Sequence, residues 1–283
     1  MYIFKKVKDL QQHIQNRKSQ NKIIGFVPTM GALHAGHLSL IARANAETDI
    51  TVCSIFVNPT QFDNQEDLVK YPKTIEQDIE LLIKNNTNIL FLPSIKEVYP
   101  DTLEKQEKYD LGGLDLPMEG AFRAGHFDGV VQVVKRLLDI VQPDQLFMGQ
   151  KDYQQFKIIG RLLSQIKSDI KLVRCPIMRE ADGLAMSSRN VRLTAEERQK
   201  AVTISQTLKL VKQAAEKQEK SILELEKKAI ETIEKVEGMK VEYFKIVDAT
   251  TLQEVENWQT APQLIACTAV YLGAIRLIDN ILL

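Results

Sequence analysis

His34 and His37 are two of the four histidines in this chain, and they stand three residues apart in Pro28-Thr29-Met30-Gly31-Ala32-Leu33-His34-Ala35-Gly36-His37. Ahead of them Ile23 to Val27 is a short apolar run of the kind that forms a buried strand. Behind them Leu38 to Ala44 has apolar residues at helical spacing. A strand, a glycine-bearing turn and a helix start are the ingredients of an anion site, because free N–H groups and the positive end of the helix dipole face the ligand. Two imidazoles placed there can donate hydrogen bonds to phosphate oxygens, and Gly36 lets the backbone come close to a ligand.

Three further polar clusters answer the same need. Asn58-Pro59-Thr60-Gln61-Phe62 offers neutral donors and acceptors suited to the hydroxyl and carboxylate groups of a small polar substrate. Taken alone it reads rather as a turn with local side-chain capping. Gly149-Gln150-Lys151-Asp152-Tyr153-Gln154-Gln155 places Lys151 at a helix start, where the dipole disfavours a cation unless an anion lies between them. In that cluster Asp152 either caps the helix or holds ribose hydroxyls, and Gln155 lies one turn along. Met186-Ser187-Ser188-Arg189-Asn190, preceded by Arg179-Glu180-Ala181-Asp182-Gly183, brings two hydroxyls and a guanidinium into one loop, a composition suited to polyphosphate. Together these residues suit nucleotidyl transfer, a reaction that needs positioning and charge stabilisation at phosphorus more than a protein nucleophile. The chain has neither a G-x-x-x-x-G-K-[ST] phosphate loop nor a G-x-G-x-x-G dinucleotide fingerprint.

The clusters follow strands in an alternating pattern. Ile50–Val57, Asn88–Leu92, Asp144–Met148 and Ile170–Arg174 read as further strands, and Thr74–Lys84, Phe127–Val141 and Asp152–Ile166 as helices. The fold class that follows is α/β: a Rossmann-like doubly wound parallel sheet domain followed by a smaller α+β C-terminal domain. The joint is expected near Cys175-Pro176, giving residues 1–176 and 177–283, the second closing over the active site. Thr194-Ala195-Glu196-Glu197 and Ser221-Ile222-Leu223-Glu224 are capping boxes that open the helices of the smaller domain. Val241–Val247 and Leu264–Leu272 read as its strands.

The bulk numbers fit this picture. Of 283 residues, 44% are hydrophobic and 26% charged, ordinary values for a globular protein. Lys plus Arg is 37 and Asp plus Glu is 37, a balance that argues against nucleic acid or a polybasic membrane surface as the main partner. The N-terminal residues lack a secretory apolar region, and no apolar run reaches transmembrane length. Cys53, Cys175 and Cys267 lie far apart in apolar surroundings and read as reduced core thiols of a cytoplasmic protein.

Taken in order, PTMGALHAGH, FVNPTQF, YPKT, FRAGHFDGVVQVV, GQKDYQQ, READGLAMSSRN and RLIDN resemble the pantothenate synthetase (pantoate–β-alanine ligase) family over nearly the whole chain. H-x-G-H alone marks only the wider nucleotidyltransferase superfamily; the combined set is far more specific. The resemblance implies that pantoate attacks the α-phosphorus of ATP, and that β-alanine then attacks the acyl carbon of the adenylate. Mg²⁺ bridging phosphate oxygens and a homodimer are implied with it. By motif position, His34, His37 and Lys151 are implied as catalytic. Met30, Gly149, Asp152, Met178, Ser187, Ser188 and Arg189 join these three around ATP. Met30, Asn58, Gln61 and Gln155 are implied around pantoate and β-alanine, and Asp78 near the metal. The chain departs from the family's pattern at Gln150, where Glu is usual, and at Ala124, where Pro is frequent. His126 reads as a structural helix-start residue. Two other readings remain: an enzyme that adenylylates a phosphate monoester and stops, and a nucleotide-binding module without catalysis. The neutral Gln61/Gln155 pair disfavours the first, and the set of both histidines, Lys151 and Arg189 the second.

Overall fold

The computed structural model describes residues 1–61, 68–69, 71–100 and 108–283. Phe62, the last residue of the second polar cluster, lies outside them. The chain divides into two compact units. The first comprises Met1–Gly113, Arg123–Gly149 and Gln155–Pro176, and the second Leu114–Phe122, Gln150–Gln154 and Ile177–Leu283.

The first unit is built on a six-stranded sheet in the order β1-β4-β3-β2-β5-β6. Its strands are β1 (Tyr2–Phe4), β2 (Ile24–Thr29), β3 (Ile50–Ile55), β4 (Ile89–Phe91), β5 (Gln145–Gly149) and β6 (Lys171–Cys175). Every pairing is parallel. Central strands of such a sheet are covered on both faces, and accordingly β2 and β3 are buried along nearly their whole length rather than at alternate residues. Helices Val7–Lys18, Ala35–Glu47, Ile75–Lys84 and His126–Val141 connect the strands. On the last, Val130, Val134, Leu137, Leu138 and Val141 are all buried, as their spacing predicts. The edge strand β1 was not legible in the sequence, since three residues carry too little periodicity to register.

Strand order reverses at β2, which lies between β3 and β5. In open α/β sheets ligands bind beyond the carboxyl ends of the strands at such a switch point. Here β2 is laddered to β5 only at Gly25 and Phe26, whereas its pairing with β3 continues to Thr29. Pro28, which has no N–H to donate, lies beyond the last β5 partner. The β2 and β5 ladders therefore part before the ends that carry Met30 and Gly149.

The second unit holds an antiparallel sheet of β7 (Met239–Asp248), β8 (Leu264–Leu272) and β9 (Ile275–Leu282). Helices Ala195–Lys217 and Ile222–Glu234 open on reciprocal capping boxes, Thr194 with Glu197 and Ser221 with Glu224. Ile222, Leu225, Ala229 and Ile233 pack with Phe244, Ile246, Ala266 and Val270 in its core. Two segments from earlier in the chain belong to this unit, and hydrogen bonds explain why. Gln154 Nε2 donates to Leu114 O and Pro117 O, both at 2.8 Å, and Gln154 Oε1 accepts from Glu119 N at 3.0 Å. Arg276 reaches from β9 to both Glu119 and Glu242, and these carboxylates outweigh burial in raising its pKa. β9 was missed in the sequence because Asp279 and Asn280, residue types depleted in strands, interrupt its apolar pattern.

Candidate active site

The H-x-G-H turn begins where β2 ends. Gly31 and Ala32 adopt left-handed conformations, φ +84° and +49°. For alanine this costs about 1–2 kcal/mol. Asp78, on the helix Ile75–Lys84, offsets that strain. Its Oδ2 accepts from Ala32 N at 3.0 Å and its Oδ1 from Leu33 N at 2.8 Å and Thr74 Oγ1 at 3.2 Å. The side chain is expected near a metal, but Asp78 is 1% exposed and both its oxygens are engaged by the turn. It is a brace for the histidine turn. Among the described residues no group of three His, Cys, Asp or Glu side chains could hold a metal ion.

His34 is the N-cap of the helix Ala35–Glu47, in extended conformation, and its Nδ1 accepts from Gly36 N at 3.1 Å. His37, in the first turn, returns the contact: its Nδ1 accepts from His34 N at 3.4 Å. The two rings lie 4.2 Å apart between centroids. An Nδ1 that accepts carries no proton, so each neutral ring holds its proton on Nε2. This reciprocal cap fixes both tautomers and makes both Nε2–H groups donors at a helix N-terminus, where the dipole favours an anion.

The same unit assembles the neutral cluster. Gln61 Nε2 lies 3.0 Å from Met30 Sδ. Asn58 is 1% exposed; its Nδ2 donates to Gly129 O at 3.2 Å and lies within 3.4 Å of Gln61 Oε1. Its Oδ1 accepts from Tyr99 Oη at 3.2 Å. The Asn58 amide therefore shapes the turn that presents Gln61. His126 Nδ1 lies 2.8 Å from Gln61 O and anchors the same turn, a structural place that fits its reading from the sequence. Gly129 permits the approach, because a Cβ there would lie 2.4 Å from Thr60 O. Gln155 is half-buried on the helix Tyr153–Gln165, and Gly149 ends β5.

Lys151, Asp152, Met178, Ser187, Ser188 and Arg189 belong to the second unit. Lys151 is half-buried and Asp152 exposed in a short 3₁₀ turn, Gln150–Asp152. Ser187 caps the 3₁₀ turn Ser188–Arg192, its Oγ accepting from Arg189 N at 3.2 Å. Met178 is exposed, and its carbonyl accepts from Met186 N at 3.0 Å, closing the intervening loop as a hairpin. Sequence reasoning placed Asp78 and the RLIDN motif that holds Asn280 but missed their roles: Asp78 braces the histidine turn, and the Asn280 amide holds the Lys151 turn. Neither role has a local signal, since each contact acts across a long stretch of chain. The three cysteines are buried and unpaired. Burial pushes the Cys53 thiol up to about 12 and that of Cys175 up to about 11, so neither is a nucleophile at neutral pH.

A doubly wound parallel sheet whose switch-point strand runs into a histidine-capped helix is the build of an enzyme that handles nucleotide phosphates. A family model described as Pantoate-beta-alanine ligase matches residues 2–282, so the chain belongs to the pantoate–β-alanine ligase family. The pantothenate synthetase of Bacteroides fragilis is 47% identical over 281 residues, covering 99% of this chain and 98% of that one. That of Thermotoga neapolitana is 42% identical over 286 residues and the full length of both. The crystal structure of pantothenate synthetase from Thermus thermophilus superposes with a TM-score of 0.92 at 37% identity over 99% of each chain. That of pantoate-beta-alanine ligase from Francisella tularensis, complexed with beta-gamma ATP and beta-alanine, has a TM-score of 0.79 at 37% identity, covering 100% of this chain and 97% of that one.

Proposed function

We propose that this protein joins pantoate to β-alanine in two steps at the expense of ATP. A pantoate carboxylate oxygen attacks the α-phosphorus, pyrophosphate leaves, and the β-alanine amine then displaces AMP from the acyl carbon. The first step is needed because a carboxylate is a poor electrophile, whereas a mixed anhydride with AMP has a good leaving group. The observation that carries this reading is the reciprocal cap of His34 and His37, which holds two Nε2–H donors at the N-terminus of a helix. His37 stabilises the pentacoordinate phosphorus, assisted by His34.

Lys151 stabilises the charge that develops on the phosphates, while Ser187, Ser188 and Arg189 grip the β- and γ-phosphates. Gly149 and Asp152 meet the ribose side of ATP, with Met178 nearby. Met30, Gln61 and Gln155 enclose pantoate, and Asn58 holds that pocket's shape. Mg²⁺ would enter with ATP and neutralise phosphate charge; Asp78, buried and bonded to the histidine turn, is placed to brace that turn. The working form is a cytoplasmic homodimer. Among the described residues no helix is long and apolar enough to cross a membrane.

Exchange of labelled pyrophosphate into ATP tests the reading. Exchange is expected to require pantoate and Mg²⁺ but not β-alanine. Exchange that appears only with the amine present would exclude a free-standing adenylate.

A further inference from the structure

Two motifs, READG and RLIDN, take no part in the proposed substrate contacts. Within the second unit they meet. Arg179 of the first forms a two-pronged ion pair with Asp279 of the second, Nη1 to Oδ2 at 2.6 Å and Nη2 to Oδ1 at 2.9 Å. Arg179 Nη1 also donates to Gly183 O at 3.1 Å, and Nη2 to Asn280 O at 3.3 Å. Asp279 Oδ1 accepts in turn from Asn280 N at 2.7 Å. Asp279 is 4% exposed and Asn280 3%, so this is a buried, mutually satisfied network of the kind that fixes one geometry.

The Asn280 side chain carries that geometry to the Lys151 turn. Its Nδ2 donates to Gln150 O at 3.0 Å and to Lys151 O at 2.9 Å. Two carbonyls can be met only by the amide nitrogen, so the orientation of the amide is determined. Its Oδ1 then faces Gln150 and accepts from Gln150 Nε2 at 3.2 Å. A carboxylate at position 150, usual in the family pattern, would have no proton to give to that oxygen. Gln150 and Asn280 thus form a matched amide pair in this chain.

Holding the carbonyls of Gln150 and Lys151 fixes the peptide planes on both sides of the Lys151 Cα. That sets the direction in which its long side chain leaves the backbone. A small backbone rotation there is magnified at the ammonium. We propose that Asn280 is a positioning residue for adenylation: it clamps the Lys151 turn, is itself locked by the Arg179–Asp279 pair, and thereby aims the Lys151 ammonium. The inference rests on the reading of Lys151 as the group that stabilises phosphate charge.

The test is a double-mutant cycle of Asn280→Ala and Lys151→Met on single-turnover adenylation at saturating ATP and pantoate, with thermal melts of each variant. Asn280→Ala is expected to slow adenylation ~10- to 100-fold, the effect of an ångström-scale misplacement. In the Lys151→Met background the same change is expected to cost less than ~3-fold, because the group it aims is gone. Equal fold-losses in both backgrounds, or no loss from Asn280→Ala alone, would overturn the proposal. Should Asn280→Ala be unfolded at the assay temperature, Gln150→Ala goes through the same cycle under the same criterion. Lys151→Met with an unchanged adenylation rate would overturn the Lys151 reading and this inference with it. Lys151→Met slow but Asn280→Ala normal would overturn the inference alone.

Discussion

At the scale of single residues the proposed chemistry turns on where a proton sits. Both histidines of the H-x-G-H turn accept backbone N–H groups at Nδ1, so the donors are the two Nε2–H groups. Loss of one such preorganised donor typically slows the chemical step ~10²- to 10³-fold. His37→Ala is therefore expected to lower pantoate-dependent adenylation by that order, with a stability cost no greater than that of a lost helix cap, about 1 kcal/mol. His13 serves as the contrast. Its ring lies 4.8 Å from that of Tyr2 and 5.1 Å from that of Phe4, between centroids, on the helix Val7–Lys18. His13 stands in a polar N-terminal stretch away from every motif, and its ring contacts give it a packing role. His13→Ala is expected to cost about 1 kcal/mol of stability and leave adenylation unaltered. Single-turnover rates and melting curves of both variants check this. A comparable rate loss in both would remove the case for His37.

At the scale of elements, the neutral pocket depends on one helix approaching one turn. The helix His126–Val141 presents Gly129 to the backbone of Thr60 and Gln61, and a Cβ would stand 2.8 Å from Gln61 Cα. In an open helix Gly→Ala would stabilise by about 1 kcal/mol. Here the turn must move, and Gln61 moves with it. Gly129→Ala is expected to raise the KM for pantoate roughly tenfold while leaving the Kd for ATP unchanged. Titrating each substrate in the exchange assay decides it; equal changes for both would show that the turn does not belong to the pantoate pocket. This dependence also explains what the sequence could reveal. Strand, turn and helix start around His34 were legible because their signals are local: an apolar run, glycines and a capping residue. The brace from Asp78 to Ala32 and Leu33 spans more than forty residues, and the clamp from Asn280 to Lys151 more than a hundred. Contacts of that range leave no periodicity to read. Asp78 therefore took a metal role by motif position, and only its burial and partners reveal the brace.

At the scale of the whole molecule, stability and chemistry fall under separate controls. In the second unit, burial raises the pKa of Glu226, against the hydrogen bond from Ile246 N and the nearby Lys245 charge, which lower it. A carboxyl whose folded pKa lies above its unfolded value of about 4.3 contributes stability that is complete below that value. This stability is lost as pH rises through the folded pKa. Glu226→Gln keeps an acceptor for Ile246 N but does not titrate. The variant's stability relative to the parent is expected to improve as pH rises above about 4, through the raised folded pKa of the parent's carboxyl. A difference in melting temperature that stays constant with pH would contradict this.

The chemistry has its own signature, the fate of the pantoate oxygens. If a carboxylate oxygen attacks the α-phosphorus and the amine later breaks the acyl–oxygen bond, that oxygen must leave on AMP. Pantoate carrying a heavy-oxygen isotope in both carboxylate positions, turned over with ATP and β-alanine and analysed by mass spectrometry, measures this directly. One labelled oxygen is expected in each AMP, one retained in each pantothenate and none in pyrophosphate. Label in pyrophosphate or inorganic phosphate, or AMP without label, would contradict it.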